Sequence, residues 1–136
     1  MNGNEMKNIA FGASTVIAAI ISYLFGNDTK MLVALAVIMG LDYLSGVAAA
    51  IYNKELSSKK GLKGILKKVA MLIAVALAHI IDVNILKQGD ILMVGAIITF
   101  IANDGISILE NIGKMGIKTD NKIFETLVQL KNKTDK

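Results

Sequence analysis

The chain has 136 residues, of which 54% are hydrophobic and 19% charged, and its formal net charge is +4. Soluble domains are typically about 45–50% apolar and about 25% charged, so both values favour a membrane protein. There is no cysteine and only one histidine, which excludes disulfides, thiolate chemistry and a histidine metal cluster built from one chain. We therefore expect no enzyme and no cofactor.

The positive charge does not indicate a nucleic-acid partner. All 15 basic residues are lysines, so the bidentate contacts that arginine makes to phosphate and guanine are absent. The chain has no tryptophan and only 5% aromatic residues, too few for base-stacking platforms. We expect no binding to nucleic acid.

Four apolar runs follow one another along the chain, at residues 9–25, 31–52, 69–86 and 91–109. At 1.5 Å per residue, helices of this length cross roughly the 30 Å hydrocarbon core of a bilayer. No proline interrupts them, and a spanning segment must satisfy its backbone hydrogen bonds internally. We predict an all-α integral membrane protein with about four transmembrane helices. A soluble four-helix bundle would need a face rich in lysine and glutamate, which these runs lack.

The lysines predict the orientation. Thirteen of them fall before the first run, in the loop 53–68 or in the tail 110–136, and two fall in the other loops. The positive-inside rule therefore places both termini and the loop 53–68 in the cytoplasm. The lysines of this predicted cytosolic basic loop are Lys54, Lys59, Lys60, Lys63, Lys67 and Lys68.

Two segments near the C-terminus contain both apolar and polar residues. The fourth run carries adjacent Asn103 and Asp104, so it could lie partly along the interface instead of spanning, although three spans would put the lysine-rich tail outside. Within the tail, Ile123, Leu127 and Leu130 recur at helical spacing. We predict a short cytosolic amphipathic helix there, resting on lipid or on a neighbouring subunit.

Polar side chains inside the predicted spans are the candidate functional residues. An ionised carboxylate at the bilayer centre costs about 2.5–3.5 kcal/mol on insertion scales, so it must face protein or water, be protonated, or pair with a donor. These groups either line a polar path through an oligomer or form interhelical hydrogen bonds that set helix register. A proton relay through three of them (Asp42, His79 and Asp82) is a further alternative. The full set is Asp42, His79, Asp82, Thr99, Asn103, Asp104, Ser107 and Glu110.

Small residues in the second and third runs indicate where helices can approach one another closely. Those of the second run follow Asp42, and those of the third recur every four residues. The positions expected to pack helices are Ser45, Gly46, Ala49, Ala70, Ala74 and Ala78.

Several short motifs occur in a characteristic order. Asp42 precedes a Ser-Gly pair at 45–46, a basic segment containing Ser-Ser and Gly follows at 57–64, and a Lys-Lys pair at 67–68 opens the next run. The fourth run ends in Ser-Ile-Leu-Glu-Asn at 107–111. In these features, residues 31–130 resemble the toxin-secretion/phage-lysis holin family. The proline expected soon after Gly116 in that family is absent.

The resemblance implies a small multi-pass protein of the bacterial cytoplasmic membrane. Such a protein accumulates, forms a homo-oligomer in membrane lipid and opens a lesion through which a cytosolic endolysin, or a large toxin in some relatives, leaves the cell. The residues alone leave two other classes open: a small-solute or proton-coupled channel or transporter subunit, and a membrane anchor for a partner protein. A holin made alone should collapse the membrane potential, whereas the other two should be tolerated.

Overall fold

The computed structural model describes residues 1–135, which form five α-helices and one π-helical turn and no strand. The elements in chain order are α1 (Gly3–Phe25), α2 (Lys30–Tyr52), α3 (Ser58–Ile81), the π-turn (Asp82–Leu86), α4 (Ile91–Lys114) and α5 (Asn121–Thr134). Four segments are long and apolar enough to cross a membrane: α1, α2, α3 together with the π-turn, and α4. The predicted all-α fold with four candidate spans is confirmed.

Helix α3 begins earlier than the sequence analysis predicts. The Ser57 side chain accepts a hydrogen bond from the Lys60 N–H at 3.4 Å, and this N-cap starts the helix at Ser58. Lysine and leucine both favour helix, so the segment that follows continues the helix without a break. The predicted basic loop 53–68 is therefore wrong over most of its length, because only residues 53–57 connect α2 to α3.

Helix α4 lies at the centre of the molecule and packs against α2, α3 and α5. The core between α2, α3 and α4 is apolar, and its most deeply covered side chains, such as Leu35 and Val75, are fully buried. The buried core residues are Leu35, Met39, Met71, Val75, Met93 and Ile97. A three-helix unit is thus the structural base of the protein.

Helix α1 lies at the periphery, where it packs against α3 and has no buried residue. Large apolar side chains cover its surface, among them Ile9, Phe11 and Val16, and the outer faces of α2 and α3 expose similar residues. Soluble monomers rarely expose apolar patches of this extent, whereas lipid tails cover them in a bilayer. These surfaces are consistent with four membrane-spanning helices.

Helix α5 folds back along α4. A Cβ atom on Gly105 would lie 2.9 Å from both methyl carbons of Leu127, so the absence of a side chain at Gly105 makes room for α5. Nearer the start of α4, Thr99 Oγ1 donates a hydrogen bond to Thr134 Oγ1 at 2.9 Å. The predicted tail helix is therefore present and packs on α4 of its own chain, while contact of its other face with lipid or a neighbouring subunit stays a prediction. Residue 136, the end of the predicted tail 110–136, lies outside the described residues.

Candidate functional site

One lysine joins three helices in the interior of the protein. Lys68 of α3 pairs with Asp42 of α2, and its Nζ atom also lies 2.6 Å from Oδ2 of Asp104 on α4. All three side chains are largely covered, with exposed fractions of 15% for Lys68, 14% for Asp42 and 7% for Asp104. We call Asp42, Lys68 and Asp104 the ionic cluster.

The three members of the ionic cluster lie at one depth. Asp42 precedes the end of α2 by ten residues, Lys68 follows the start of α3 by ten, and Asp104 precedes the end of α4 by ten. At 1.5 Å per residue, each is about 15 Å from the lysine-rich end of its helix. The three residues therefore lie at one level of the bundle, where the predicted third apolar run begins.

Pairing makes charges tolerable at this depth. A lone charge at the bilayer centre costs about 2.5–3.5 kcal/mol, and intramembrane charges accordingly pair with one another. The lysine ammonium has three donors, of which Lys68 uses one for each carboxylate. Removal of one partner from a buried ion pair typically costs about 3–5 kcal/mol, because the remaining charge is left uncompensated. The ionic cluster thus couples α2, α3 and α4.

Asn111 extends this polar contact towards the end of α4. Its Nδ2 atom donates to Ser45 Oγ at 3.0 Å and to the Asp42 carbonyl oxygen at 3.4 Å. The approach is close because α2 carries Gly46 there, where a Cβ atom would lie 3.5 Å from Asn111 Nδ2. Residues of the Asp-Ser-Gly motif and of the Ser-Ile-Leu-Glu-Asn motif therefore meet across the α2–α4 contact.

A cavity of about 360 Å³ opens beside the ionic cluster, between α2, α3 and α4. Asp42, Lys68 and Asn111 border its inner part. The C-terminal ends of α2 and α4 and the N-terminal turns of α3 also line it, so the cavity extends from the cluster towards the lysine-rich end. We call this the basic-end cavity.

His79 and Asp82, the other two residues of the predicted proton relay, lie near the C-terminal end of α3, away from the ionic cluster. Asp82 is 1% exposed, and its carboxylate accepts hydrogen bonds from the backbone N–H groups of Leu92 at 3.1 Å and Met93 at 2.8 Å, so it caps α4. His79 Nδ1 lies 2.9 Å from Asp90 Oδ1. A rise of 1.5 Å per residue puts Asp82 about 20 Å along α3 from Lys68.

The structure therefore does not assemble the proposed relay of Asp42, His79 and Asp82. Asp42 pairs with Lys68 in the ionic cluster, while the other two residues order the opposite end of the molecule. The first N–H groups of α4 have no partner within that helix, and a carboxylate satisfies them. This explains why Asp82 binds the start of α4 and not the His79 ring, which lies one helical turn away.

The spacing of Thr99, Asn103, Ser107 and Glu110 predicts a polar stripe on α4, and the structure divides it among different surroundings. Thr99 contacts α5, Ser107 borders the basic-end cavity, Asn103 is half-buried and Glu110 is exposed. Asp104, beside the stripe, is buried. A pore-lining role for the stripe stays a prediction.

The residues predicted to pack helices against one another differ in how deeply they are buried. Ser45 and Gly46 contact Asn111 of α4, and Ala49 is 4% exposed. On α3, Ala74 and Ala78 are half-buried, but Ala70 is exposed, so the expected alanine strip does not pack over its whole length. The buried face of α3 instead follows Met71, Val75 and His79, at intervals of four residues.

The sequence analysis placed Lys68 in the cytosolic basic loop, and this assignment is wrong. Lys68 lies three residues before Met71 and seven before Val75, so helical periodicity puts it on the buried face of α3. Lys59, Lys60, Lys63 and Lys67 also belong to α3, but they are exposed, and Lys54 alone of the six lies in the loop. Extending the core periodicity of the third run backwards would have found Lys68.

Comparison with known proteins agrees with this arrangement. The sequence profile of the bacteriophage holin family matches residues 19–132, from within α1 to near the end of α5. The chain belongs to the bacteriophage holin family. The match includes all three residues of the ionic cluster and Asn111.

Individual relatives support the assignment. A probable holin of Bacillus phage phi105 is 32% identical over 114 residues, which cover 84% of this chain and 83% of the relative. An uncharacterised protein of Listeria monocytogenes is 47% identical over 100 residues, or 74% of this chain and 71% of the relative. An uncharacterised protein of Halalkalibacterium halodurans is 34% identical over 135 residues, or 96% of this chain and 100% of the relative. No solved structure gives a significant match.

We predict that Lys68→Met destabilises this holin-family protein by about 3–5 kcal/mol, because Asp42 and Asp104 are left without a cation. Unfolding of the purified protein in mixed detergent micelles, followed by circular dichroism, measures the effect. The matched control is Lys67→Met, since Lys67 is exposed and has no ion pair within residues 1–135.

A third variant tests the cause of the loss. Neutralising both acids in Asp42→Asn/Lys68→Met/Asp104→Asn removes the uncompensated charges, so it should recover most of the stability lost by Lys68→Met. Equal stability of Lys68→Met and Lys67→Met would contradict the assigned role of Lys68.

Proposed function

We propose that the chain is a pore-forming holin, a non-enzymatic protein that oligomerises in the bacterial cytoplasmic membrane and permeabilises it. The lesion releases a cytosolic endolysin, which lyses the host cell, or a large toxin. Membership of the holin family and four helices of spanning length support this proposal. The lysine-rich ends of the helices and the N-terminus face the cytoplasm by the positive-inside rule, whereas α5 returns along α4 towards the other end.

The position of α5 carries the proposal. Its Thr134 meets Thr99, which lies eight residues after the start of α4 and therefore about 12 Å into that span. The free face of α5 carries charged side chains, among them Lys122, Glu125 and Lys133, beside exposed Ile123 and Phe124. Charged groups at membrane depth cost about 2.5–3.5 kcal/mol each in contact with lipid. This flank of the molecule must therefore face water or other copies.

Helix α1, by contrast, presents an apolar surface that is suited to contact with lipid. This helix packs against α3, not against α4, and covers its flank with apolar side chains such as Ile17, Ile20 and Ile21. One copy thus has an apolar flank suited to lipid and a flank whose charged side chains are unsuited to it. A ring of such copies, with α1 outwards and α5 inwards, forms the wall of a water-filled lesion.

The ionic cluster supplies rigidity in this mechanism. It holds α2, α3 and α4 together, so each copy enters the assembly as one preformed unit. Buried charges also disfavour a loosened copy whose helices separate into lipid. Assembly then needs contacts between copies but no rearrangement of the three-helix core.

Inducible expression in a bacterium, with and without a cytosolic endolysin that lacks a signal sequence, tests the proposed function. We expect abrupt loss of membrane potential with this protein alone, and clearing of the culture only when the endolysin is also present. Membrane-potential dyes and culture turbidity give the two readouts. Endolysin expressed without this protein is the control and should leave both unchanged.

Other outcomes of this experiment contradict the proposal in distinct ways. Depolarisation without release of the endolysin would indicate a small-ion pore. Normal growth and membrane potential, at a verified amount of protein in the membrane, would favour a transporter subunit or a membrane anchor.

We also predict that the α4–α5 contact belongs to the water-facing assembly and forms when the membrane opens. The chain has no cysteine, and the hydroxyl oxygens of Thr99 and Thr134 are 2.9 Å apart, so Thr99→Cys/Thr134→Cys should form a disulfide under mild oxidation. We expect the cross-linked fraction in isolated membranes to rise as cells depolarise, and cross-linked cells to stay permeable.

The matched control is Thr99→Cys/Thr126→Cys. Thr126 precedes Thr134 by eight residues on α5, about 12 Å along the helix, and should not cross-link. The prediction would be overturned if the cysteines cross-linked fully long before depolarisation and lysis stayed blocked until a reductant was added. That result would mean that α5, when it contacts α4, keeps the membrane closed.

A further inference from the structure

We propose that the basic-end cavity binds the phosphate group of an anionic phospholipid. The cavity lies between three spans, at the end where the lysines lie and where lipid headgroups meet the protein. Its volume of about 360 Å³ falls within the range of about 300–1,000 Å³ typical of ligand sites. The inference requires insertion in a membrane but not pore formation.

The charges in the cavity favour an anion at its mouth. Lys60, Lys67 and Lys114 line it, are exposed, and have no ion pair within residues 1–135. Glu55 is the one carboxylate among the lining residues besides Asp42, which is paired with Lys68 in the ionic cluster. Three free lysines thus face a single free carboxylate.

The start of α3 adds to this positive field. Its N-cap residue Ser57 and its first-turn residue Lys60 both line the cavity. The N-terminus of a helix carries a partial positive charge and unpaired backbone N–H groups, which favour a phosphate. The lysines and the helix start therefore act in the same direction.

The walls of the cavity favour a phospholipid over a free phosphate ion. Glycines on α3 let the Tyr43 side chain lie close to that helix: a Cβ atom on Gly61 would lie 3.3 Å from the Tyr43 hydroxyl oxygen, and one on Gly64 would lie 3.6 Å from the Tyr43 ring. Val47 and Leu56 supply apolar surface beside the lysines. An amphiphile with a phosphate head and an acyl chain matches both surfaces, whereas inorganic phosphate uses only the lysines.

Native mass spectrometry of the full chain, released from vesicles of phosphatidylcholine mixed with phosphatidylglycerol, tests the proposal. We expect retained phosphatidylglycerol adducts on the unaltered protein and about a tenfold or greater loss of them in Lys60→Gln/Lys67→Gln/Lys114→Gln. The charge-matched control is Lys59→Gln/Lys63→Gln/Lys118→Gln, which removes three lysines from the same parts of the chain but outside the cavity.

Each result of this comparison either supports or overturns the proposed lipid site. Adducts that survive in the control variant and disappear in the cavity variant support the site. Equal loss in both variants would show attraction to diffuse surface charge and overturn it. Displacement of the lipid by millimolar inorganic phosphate would overturn the assignment to a lipid headgroup. Circular dichroism checks that both variants keep their helices, and the binding readout is independent of lysis.

Discussion

The structure depends on placing charge between three helices of membrane-spanning length. Asp42, Lys68 and Asp104 come from three different helices and meet at one depth, about 15 Å from the lysine-rich helix ends. Each of them alone would oppose insertion, and together they tie α2, α3 and α4 to one another. The apolar core of the same helices cannot supply this constraint, because lipid tails are as apolar as leucine and give no strong preference for protein over lipid contact. Polar pairing and close packing must therefore determine the register of the helices.

The two ends of the three-helix unit are organised differently. At one end Asp82 accepts hydrogen bonds from the first N–H groups of α4, and Gly26, with a φ of +77°, brings the α1–α2 connection against the His79 ring. At the other end lysines surround an open cavity. The closed end satisfies its polar groups internally, whereas the open end leaves lysines available to lipid or water. This asymmetry follows the distribution of lysine in the sequence.

Much of the fold could be predicted from the sequence, because apolar runs of spanning length without proline have few structural solutions in a bilayer. The four candidate spans and the tail helix were found in this way. The start of α3 was missed, because a run of lysines resembles a loop in composition although lysine favours helix. The site was predicted in part: Asp42 and Asp104 were identified as acids in need of a partner, but the partner was not. Lys68 lies outside the apolar run that the hydropathy pattern outlines, and its burial follows only from the periodicity of Met71 and Val75. The contact of α5 with α4 depends on the space at Gly105, which no periodicity indicates.

The central claim is that one buried lysine couples three helices, and double-mutant cycles test it most directly. The cycles pair Lys68→Gln with Asp42→Asn and with Asp104→Asn, and compare the free energies of unfolding in mixed micelles. The account predicts a coupling energy of about 1 kcal/mol or more in each cycle, since contacting residues of one ion-pair network are not additive. Additivity within about 0.3–0.5 kcal/mol in both cycles, as for distant independent sites, would contradict it.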